Sequence, residues 1–423
     1  MSNAFRMMSD VSDPTAIVNG EHLLLGGTPP GYVGNPVLPA YFYKRRYTWD
    51  GEPEFIGCAI GCSFCYYRWI NNTVDTIGTG KAGLRRIGPP SGAAQFLEQS
   101  KLFGANRDIV MLSARSDGSM QVESVTQFLH EFTLPNWVFV LHRGYFGARQ
   151  LEQWGRDSRV VYCTTITPKP PESGPGSWSP IDPDRQLAGI QYLLDNGIPH
   201  QRISIMTGPF NSNNVDAGVE LLHTLGAMGF EFVTYRGCSV GNFGVAPDDD
   251  KLRDEGFLDG GQNEESAPGG HDYYRMKNWL APAVEHALLA AGKRAGLRMY
   301  RFTGTLYKNE YGVSVAYNRN NRWREEIGQW NEVDVHKLNA YLTWLGYTPL
   351  SIEITDQGYF VTLPDGQWAT EDVAMSVGAE FETSVIFNNH RIAPTLEDLR
   401  FYANNRLFWP LPEGWEHVVN NNQ

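Results

Sequence analysis

The chain has 423 residues, of which 42% are apolar, 13% aromatic and 19% charged, and its formal net charge is −12. That composition belongs to a folded globular protein and excludes a disordered or fibrous chain, while the acidity speaks against a binder of bulk nucleic acid. No apolar run approaches the roughly 20 residues of a membrane helix, and MSNAFRMMSDVSD lacks the basic and apolar regions of a signal peptide, so a soluble cytoplasmic protein with no membrane partner is expected.

Residues 1–47 read as an N-terminal extension, and YFYKRRYTW (41–49) at its end mixes basic and aromatic residues. A first strand is expected within TWDGEPEFIG (48–57), where Pro53 confines it to a sheet edge or a late start. It runs into GCAIGCSFCYYR (57–68), which holds three of the five cysteines. Cys58, Cys62 and Cys65 are too close together to close useful disulfide loops, and Cys163 and Cys238 are far away. A metal is the better explanation of the thiols. Structural zinc takes four protein ligands, usually as two separated pairs, and no second pair follows at that spacing. A four-iron cluster is usually held by four thiolates, so three would leave one iron open to another ligand. Gly57 and Gly61 suit a loop wrapped closely around such a group.

The arrangement Cys-x3-Cys-x-aromatic-Cys, here Cys58, Cys62, Phe64 and Cys65, resembles the signature of the radical S-adenosylmethionine (radical SAM) superfamily. The resemblance implies a [4Fe-4S] cluster on the three cysteines, with S-adenosyl-L-methionine (SAM) bound to the open iron and Phe64 beside the cofactor. It implies reductive cleavage of SAM to methionine and a 5′-deoxyadenosyl radical that takes a hydrogen atom from the substrate, with electrons from a flavodoxin- or ferredoxin-like donor. The fold it implies is α/β, a partial (β/α)6 TIM-like barrel with the cysteine loop after the first strand. Residues 57–68 are also locally similar to the spore photoproduct lyase branch, whose members act on DNA. That branch's donor cysteine and adjoining serine after the second strand have no match here beyond Ser113.

The strand–helix units follow in order. DIVMLSA (108–114) reads as a strand and MQVESVTQFLHEF (120–132) as an amphipathic helix; WVFVLHR (137–143) precedes the helical FGARQLEQWG (146–155). RVVYCTTIT (159–167), DPDRQLAGIQYLLDNGI (182–198), RISIMTG (202–208), VDAGVELLHTLGAMGF (215–230) and EFVTYRGCSV (231–240) continue the alternation, which implies a parallel sheet covered by helices. Chemistry in such sheets collects at the C-terminal strand ends. The second strand's end reads SARSDG (113–118), where the superfamily often has Gly-Gly-Glu, so Ser113, Ser116 and Asp117 are the candidates there for the SAM amino group. Arg143 can pair with the SAM carboxylate or form a surface ion pair. Thr165 and Thr167 share one strand face, to reach the ribose or simply to fill the strand. Cys163 and Cys238 are candidate hydrogen-atom donors, Cys238 ahead, with a small buried core residue as the alternative.

Two long loops, PKPPESGPGSWSPIDPD (168–184) and the acidic 244–270, are placed to cover a substrate. Residues 271–296 read as a helix interrupted or restarted at Pro282, and 297–318 as two strands. The barrel core is assigned to 48–243, its completion to 244–330, and a small α+β C-terminal appendage to 331–423: a helix in DVHKLNAYLTWLGY, a hairpin turning at 356–358, and a helix in TLEDLRFYANNRLFW. YNRNNRWREEIGQW (317–330) is a second basic-aromatic run. Three readings compete: a radical SAM enzyme acting on a small molecule, one acting on a nucleic acid or peptide, and a non-catalytic zinc- or cluster-binding protein. The acidic charge and the absence of cysteines for auxiliary clusters favour the first.

Overall fold

The computed structural model describes residues 42–44, 48–51, 53–56, 58, 60, 62, 64, 85–86, 92–104, 108–114, 116–170, 179–240, 262–265, 276–301, 303–312, 334–356, 358–381, 383–391, 398, 401–402 and 404–407. In chain order, β1 (Phe42–Lys44) pairs antiparallel with β2 (Thr48–Gly51), and β3 (Phe55–Ile56) pairs antiparallel with β4 (Arg85–Arg86). Then α1 (Ala93–Gln99) leads into the alternation β5 (Ile109–Leu112), α2 (Val122–Glu131), β6 (Val138–His142), α3 (Ala148–Trp154), β7 (Val160–Ile166), α4 (Pro183–Asp195), β8 (Ile203–Thr207), α5 (Val215–Ala227) and β9 (Phe232–Tyr235). A separate antiparallel sheet follows, in the order β10 (Cys238–Val240), β12 (Met276–Trp279), β11 (Gln262–Glu265). After it, α6 (Pro282–Arg294) returns the chain to β13 (Arg298–Tyr300), parallel to β9.

The result is an α/β sheet in which β2, β5, β6, β7, β8, β9 and β13 are all parallel and lie side by side in chain order, with β1 antiparallel at one edge. The strands are nearly continuous apolar runs because both faces are covered. On one face Val138, Val140, Val160, Tyr162, Ile203 and Ile205 join the helix residues Val125, Phe128, Ile190 and Leu222 in the main core. On the other, the alternate residues Ile109, Phe139, Val161 and Cys163 pack against α7 (Thr303–Tyr311) through Leu306, Tyr307 and Tyr311. Phe139 meets both tyrosines edge-on, at 5.3 and 4.8 Å between ring centroids.

Local chemistry fixes where elements start and stop. Asp182 caps α4 by accepting from Asp184 N at 3.1 Å, with Pro183 in the first turn, where its missing N–H costs nothing. At the N-terminal ends of β7 and β8 two arginines tie the helices to the sheet. Arg159 pairs with Asp157 at 2.6 Å and donates to Leu129 O in the last turn of α2 and to Leu134 O beyond it, each at 3.0 Å. Arg202 donates to Val160 O at 2.9 Å, Gly155 O at 3.1 Å and Asp157 O at 2.6 Å.

The C-terminal part contains α8 (Val335–Trp344), the hairpin β14 (Ser351–Thr355) and β15 (Gly358–Thr362), then β16 (Ala369–Thr370), α9 (Glu371–Phe381), β17 (Val385–Phe387) and β18 (His390–Arg391). β17 lies parallel to β15 and β18 parallel to β16. Its core is continuous with that of the parallel sheet, and Lys101 N donates to Arg406 O at 2.8 Å where the two meet.

Several expectations are corrected. The first strand ends at Gly51, before Pro53, and β1 takes the edge position instead. The expected sixth strand, 231–240, is two: the chain leaves the parallel sheet after Tyr235 and enters the separate one at Cys238. The helix expected over 271–296 begins only at Pro282, because 276–279 forms β12. The first strand expected in 297–318 covers only 298–300, and 303–311 is helical. Helix α9 had no counterpart in the sequence reading. The second basic-aromatic run and most of the acidic loop lie outside the described residues.

Candidate functional site

The cysteine loop follows β3, and of its three thiols Cys65 lies outside the described residues. Cys58 Sγ accepts a hydrogen bond from Ile60 N at 3.4 Å, and the buried Cys62 donates to Ser179 Oγ at 3.5 Å, just before α4. Phe64 is buried beneath the Arg143 guanidinium, 5.0 Å from ring centroid to the guanidinium carbon. Arg143 follows β6, so this contact ties the cysteine loop to the C-terminal ends of the parallel strands. From there a chain of hydrogen bonds crosses two strands: Arg143 Nη1 donates to Thr167 Oγ1 at 2.8 Å, and Thr167 Oγ1 donates to Gly208 O at 2.7 Å. Phe64, Arg143 and Thr167 are thus brought together from three separate parts of the sequence.

Ser113, Ser116 and Asp117 sit on the turn after β5, but they face different partners. Asp117 is buried, and both its oxygens are engaged: one accepts from Ser119 N at 2.9 Å and from Ser119 Oγ, the other from Arg143 N. This carboxylate fixes the turn and aims the backbone of Arg143. Ser116 Oγ accepts from Gln121 Nε2. Ser113 is different: it has φ of 62°, in the left-handed region, and its fully buried Oγ has no hydrogen-bond partner among the described residues. A non-glycine residue there stores strain of the kind that collects at functional sites. The turn also presses on β6, since a Cβ at Gly118 would lie 2.7 Å from Val140 Cγ1 and 2.9 Å from Leu141 O.

Cys163 lies in the middle of β7 on the face that packs against α7, beside Ser204 in register. Burial pushes its thiol up to about 12, against the opposing pull of a hydrogen bond with Ser204 and of the Arg236 charge. Thr165 is on the same face by alternation, level with Met206. Cys238 is buried too, but in β10, opposite Trp279 in the separate sheet. The two candidate donor thiols therefore do not share a sheet.

Three residues at the site escaped the sequence reading. Gln186, in the first turn of α4, donates through Nε2 to Arg143 O at 2.7 Å and Thr165 O at 3.1 Å, stapling the ends of β6 and β7. His142, at the end of β6, is buried and stacked on Phe146 at 4.3 Å, with Nδ1 unpartnered among the described residues. Burial lowers its pKa, opposed by the Asp117 charge and a hydrogen bond at Gly144. Arg236 immediately follows β9, two residues after Thr234 on the same face, and among the described residues its guanidinium donates only to Met206 Sδ, at 3.4 Å. A glutamine in a helix's first turn, or an arginine after a strand, carries no sequence signal that separates it from surface.

The donor chemistry suits a soft, thiolate-ligated group. Two sulfurs of the loop are described, one receiving a backbone N–H, and at the strand ends stand a guanidinium held in place and a buried hydroxyl without a partner. Among the described residues no three metal-ligating side chains converge, the third loop cysteine lying outside them. No helix there is long and apolar enough to cross a membrane. No protein-family model matches the chain, and no curated protein matches it.

Proposed function

We propose that the chain is a radical SAM enzyme acting on a small molecule, with the parallel sheet as the partial (β/α)6 barrel of that superfamily. The observation that carries the reading is the Cys58, Cys62, Phe64, Cys65 spacing together with the burial of Phe64 against Arg143, which anchors the cysteine loop at the C-terminal strand ends. Side-by-side parallel strands in chain order, with no reversal, support a barrel-like winding over a doubly wound sheet.

In this reading Cys58, Cys62 and Cys65 hold a [4Fe-4S] cluster, which with bound SAM and one electron from an external donor supplies a primary carbon radical. Arg143, oriented by Thr167 and through its backbone by Asp117, offers its fork to the SAM carboxylate. Ser113 Oγ is the acceptor left open on the second strand's turn for the SAM amino group. Cys163, which burial keeps protonated, is the candidate hydrogen-atom donor; its position on the parallel sheet favours it over Cys238. Helix α7 and the aromatic residues packed on it close that face of the sheet from water, a condition for handling a reactive radical.

Anaerobic reconstitution with iron and sulfide tests the proposal. The expected result is a brown protein with about four irons per chain that forms 5′-deoxyadenosine from SAM under reduction, and loss of both properties in Cys58→Ala, Cys62→Ala and Cys65→Ala. Full iron retention in all three variants, or zinc in place of iron, refutes it.

A further inference from the structure

The arginines in or flanking the parallel strands divide into two kinds. Arg159 and Arg202, at the N-terminal strand ends, spend their donors on carbonyl oxygens and Asp157. Arg298 is paired with Glu231 and Glu310, and Arg301 with Glu285. Arg143 donates to Thr167 and lies over Phe64. Arg236 stands apart from these: among the described residues its guanidinium forms no ion pair, and that group's only hydrogen bond is to a thioether sulfur, a weak acceptor.

Its position is nonetheless tightly set. Arg236 N donates to Thr207 O at 3.2 Å, and Arg236 O accepts from Phe210 N at 3.0 Å. Gly208 approaches so closely that a Cβ there would lie 2.4 Å from Arg236 O. The side chain is half-buried and turned inward over Met206, near enough to Cys163 and Tyr307 for its charge to act on both. Register puts Thr165, Met206 and Thr234 on one level across β7, β8 and β9, with Cys163 and Ser204 one level deeper. A cation so placed, on a backbone held by hydrogen bonds, with donors unspent above the level of Thr165 and Met206, is arranged to receive an anion.

We infer that Arg236 is the substrate's anion anchor: its guanidinium takes a carboxylate or phosphate group of the small molecule and holds the remainder of that molecule at the level of Thr165 and Met206. The inference rests on the reading of this face as the reaction chamber, and it narrows the substrate to an anionic small molecule. It also separates the roles of the two strand-end arginines, Arg143 serving the cofactor and Arg236 the substrate.

Calorimetric titration of the purified full chain with inorganic phosphate and, separately, acetate tests it without any turnover. The tighter of the two anions names the group recognised. Arg236→Gln is expected to weaken that binding by about tenfold or more, the loss of a charge-assisted, forked contact, while Arg236→Lys restores part of it by keeping the charge. Melting curves of both variants check that they fold. Saturating SAM is expected to leave the wild-type anion affinity within about twofold. Equal anion affinity in wild type and Arg236→Gln overturns the inference, and so does displacement of the anion by SAM, which would make Arg236 part of the cofactor site. If the chain takes up no iron and binds no SAM, the radical reading falls, and the titration still decides whether Arg236 is an anion site.

Discussion

Asp117 offers the sharpest test of how the candidate site is built. Its carboxylate accepts three hydrogen bonds, from Ser119 N, Ser119 Oγ and Arg143 N, in a buried position. Replacing it by Ala leaves the two backbone N–H groups stranded, while the Ser119 hydroxyl turns elsewhere. At about 1–3 kcal/mol for each buried unsatisfied donor, Asp117→Ala should cost about 2–6 kcal/mol. Asp117→Asn is the more informative change. Both carboxylate oxygens face N–H donors, so whichever way the amide is turned its NH2 opposes one of them, and the charge is lost as well. The expected cost is about 2–4 kcal/mol, well above that of an ordinary isosteric change. The assay is urea unfolding of the full chain followed by far-ultraviolet circular dichroism, comparing midpoints at unchanged slope. If Asp117 instead faced a ligand, as its sequence position implied, the fold would barely notice the amide. A midpoint for Asp117→Asn equivalent to less than about 0.5 kcal/mol of destabilisation therefore refutes the structural role argued for it.

Two further outcomes follow from the buried titratable groups. His142 has a folded pKa below its ordinary 6.5, so the unfolded chain takes the proton first; the stability tied to the neutral ring is complete above about pH 6.5 and is lost as pH falls through the folded value. The urea midpoint of the wild type should therefore drop more steeply than that of His142→Gln between about pH 7.5 and about pH 5.5, and parallel curves would refute the assignment. Cys163, with its thiol pushed up to about 12, should resist iodoacetamide in the native protein at mildly alkaline pH and react once the chain is unfolded; native labelling as fast as that of a free thiol would contradict its burial.

The parallel core was legible because its two periodicities are unambiguous. β5, β6, β7 and β8 are apolar runs set between helices whose buried positions recur every three or four residues, as Val122, Val125, Phe128 and Leu129 do in α2. What failed was punctuation. EFVTYRGCSV keeps an extended pattern throughout, and nothing local marks Arg236 and Gly237 as the passage from one sheet to another. Pro282 was weighed as an interruption or a restart within 271–296; its fixed φ and missing N–H make it the start of α6, and 276–279 before it is a strand. Residues 303–311 read as part of two strands, yet Tyr307 and Tyr311, four apart, share the helix face that packs on Phe139. The cysteine spacing was readable because it is contiguous. The approach of Phe64, Arg143 and Thr167 was not, since it depends on which strand ends become neighbours.

The distribution of arginines then connects scaffold to site. At the N-terminal strand ends Arg159 and Arg202 are consumed by backbone carbonyls, so the ends of α2 and α3 are held to β7 and β8 by charge-assisted bonds that leave nothing over for a ligand. At the C-terminal ends, where strand carbonyls and loop backbone converge, Arg143 and Arg236 are positioned by their own main-chain atoms and by Asp117; among the described residues this leaves the Arg236 guanidinium with only a thioether partner and that of Arg143 with one hydroxyl partner. A group fixed through its backbone keeps its side chain for recognition; a group fixed through its side chain does not. That difference, present within one residue type on one sheet, is the physical reason to place the chemistry at the C-terminal ends, and Arg236→Gln against Arg202→Gln measures it. The first change should weaken anion binding, whereas the second should lower the unfolding midpoint by about 1–3 kcal/mol, the cost of stranding its carbonyl partners. Equal effects of both on stability, with neither affecting anion binding, would remove the distinction.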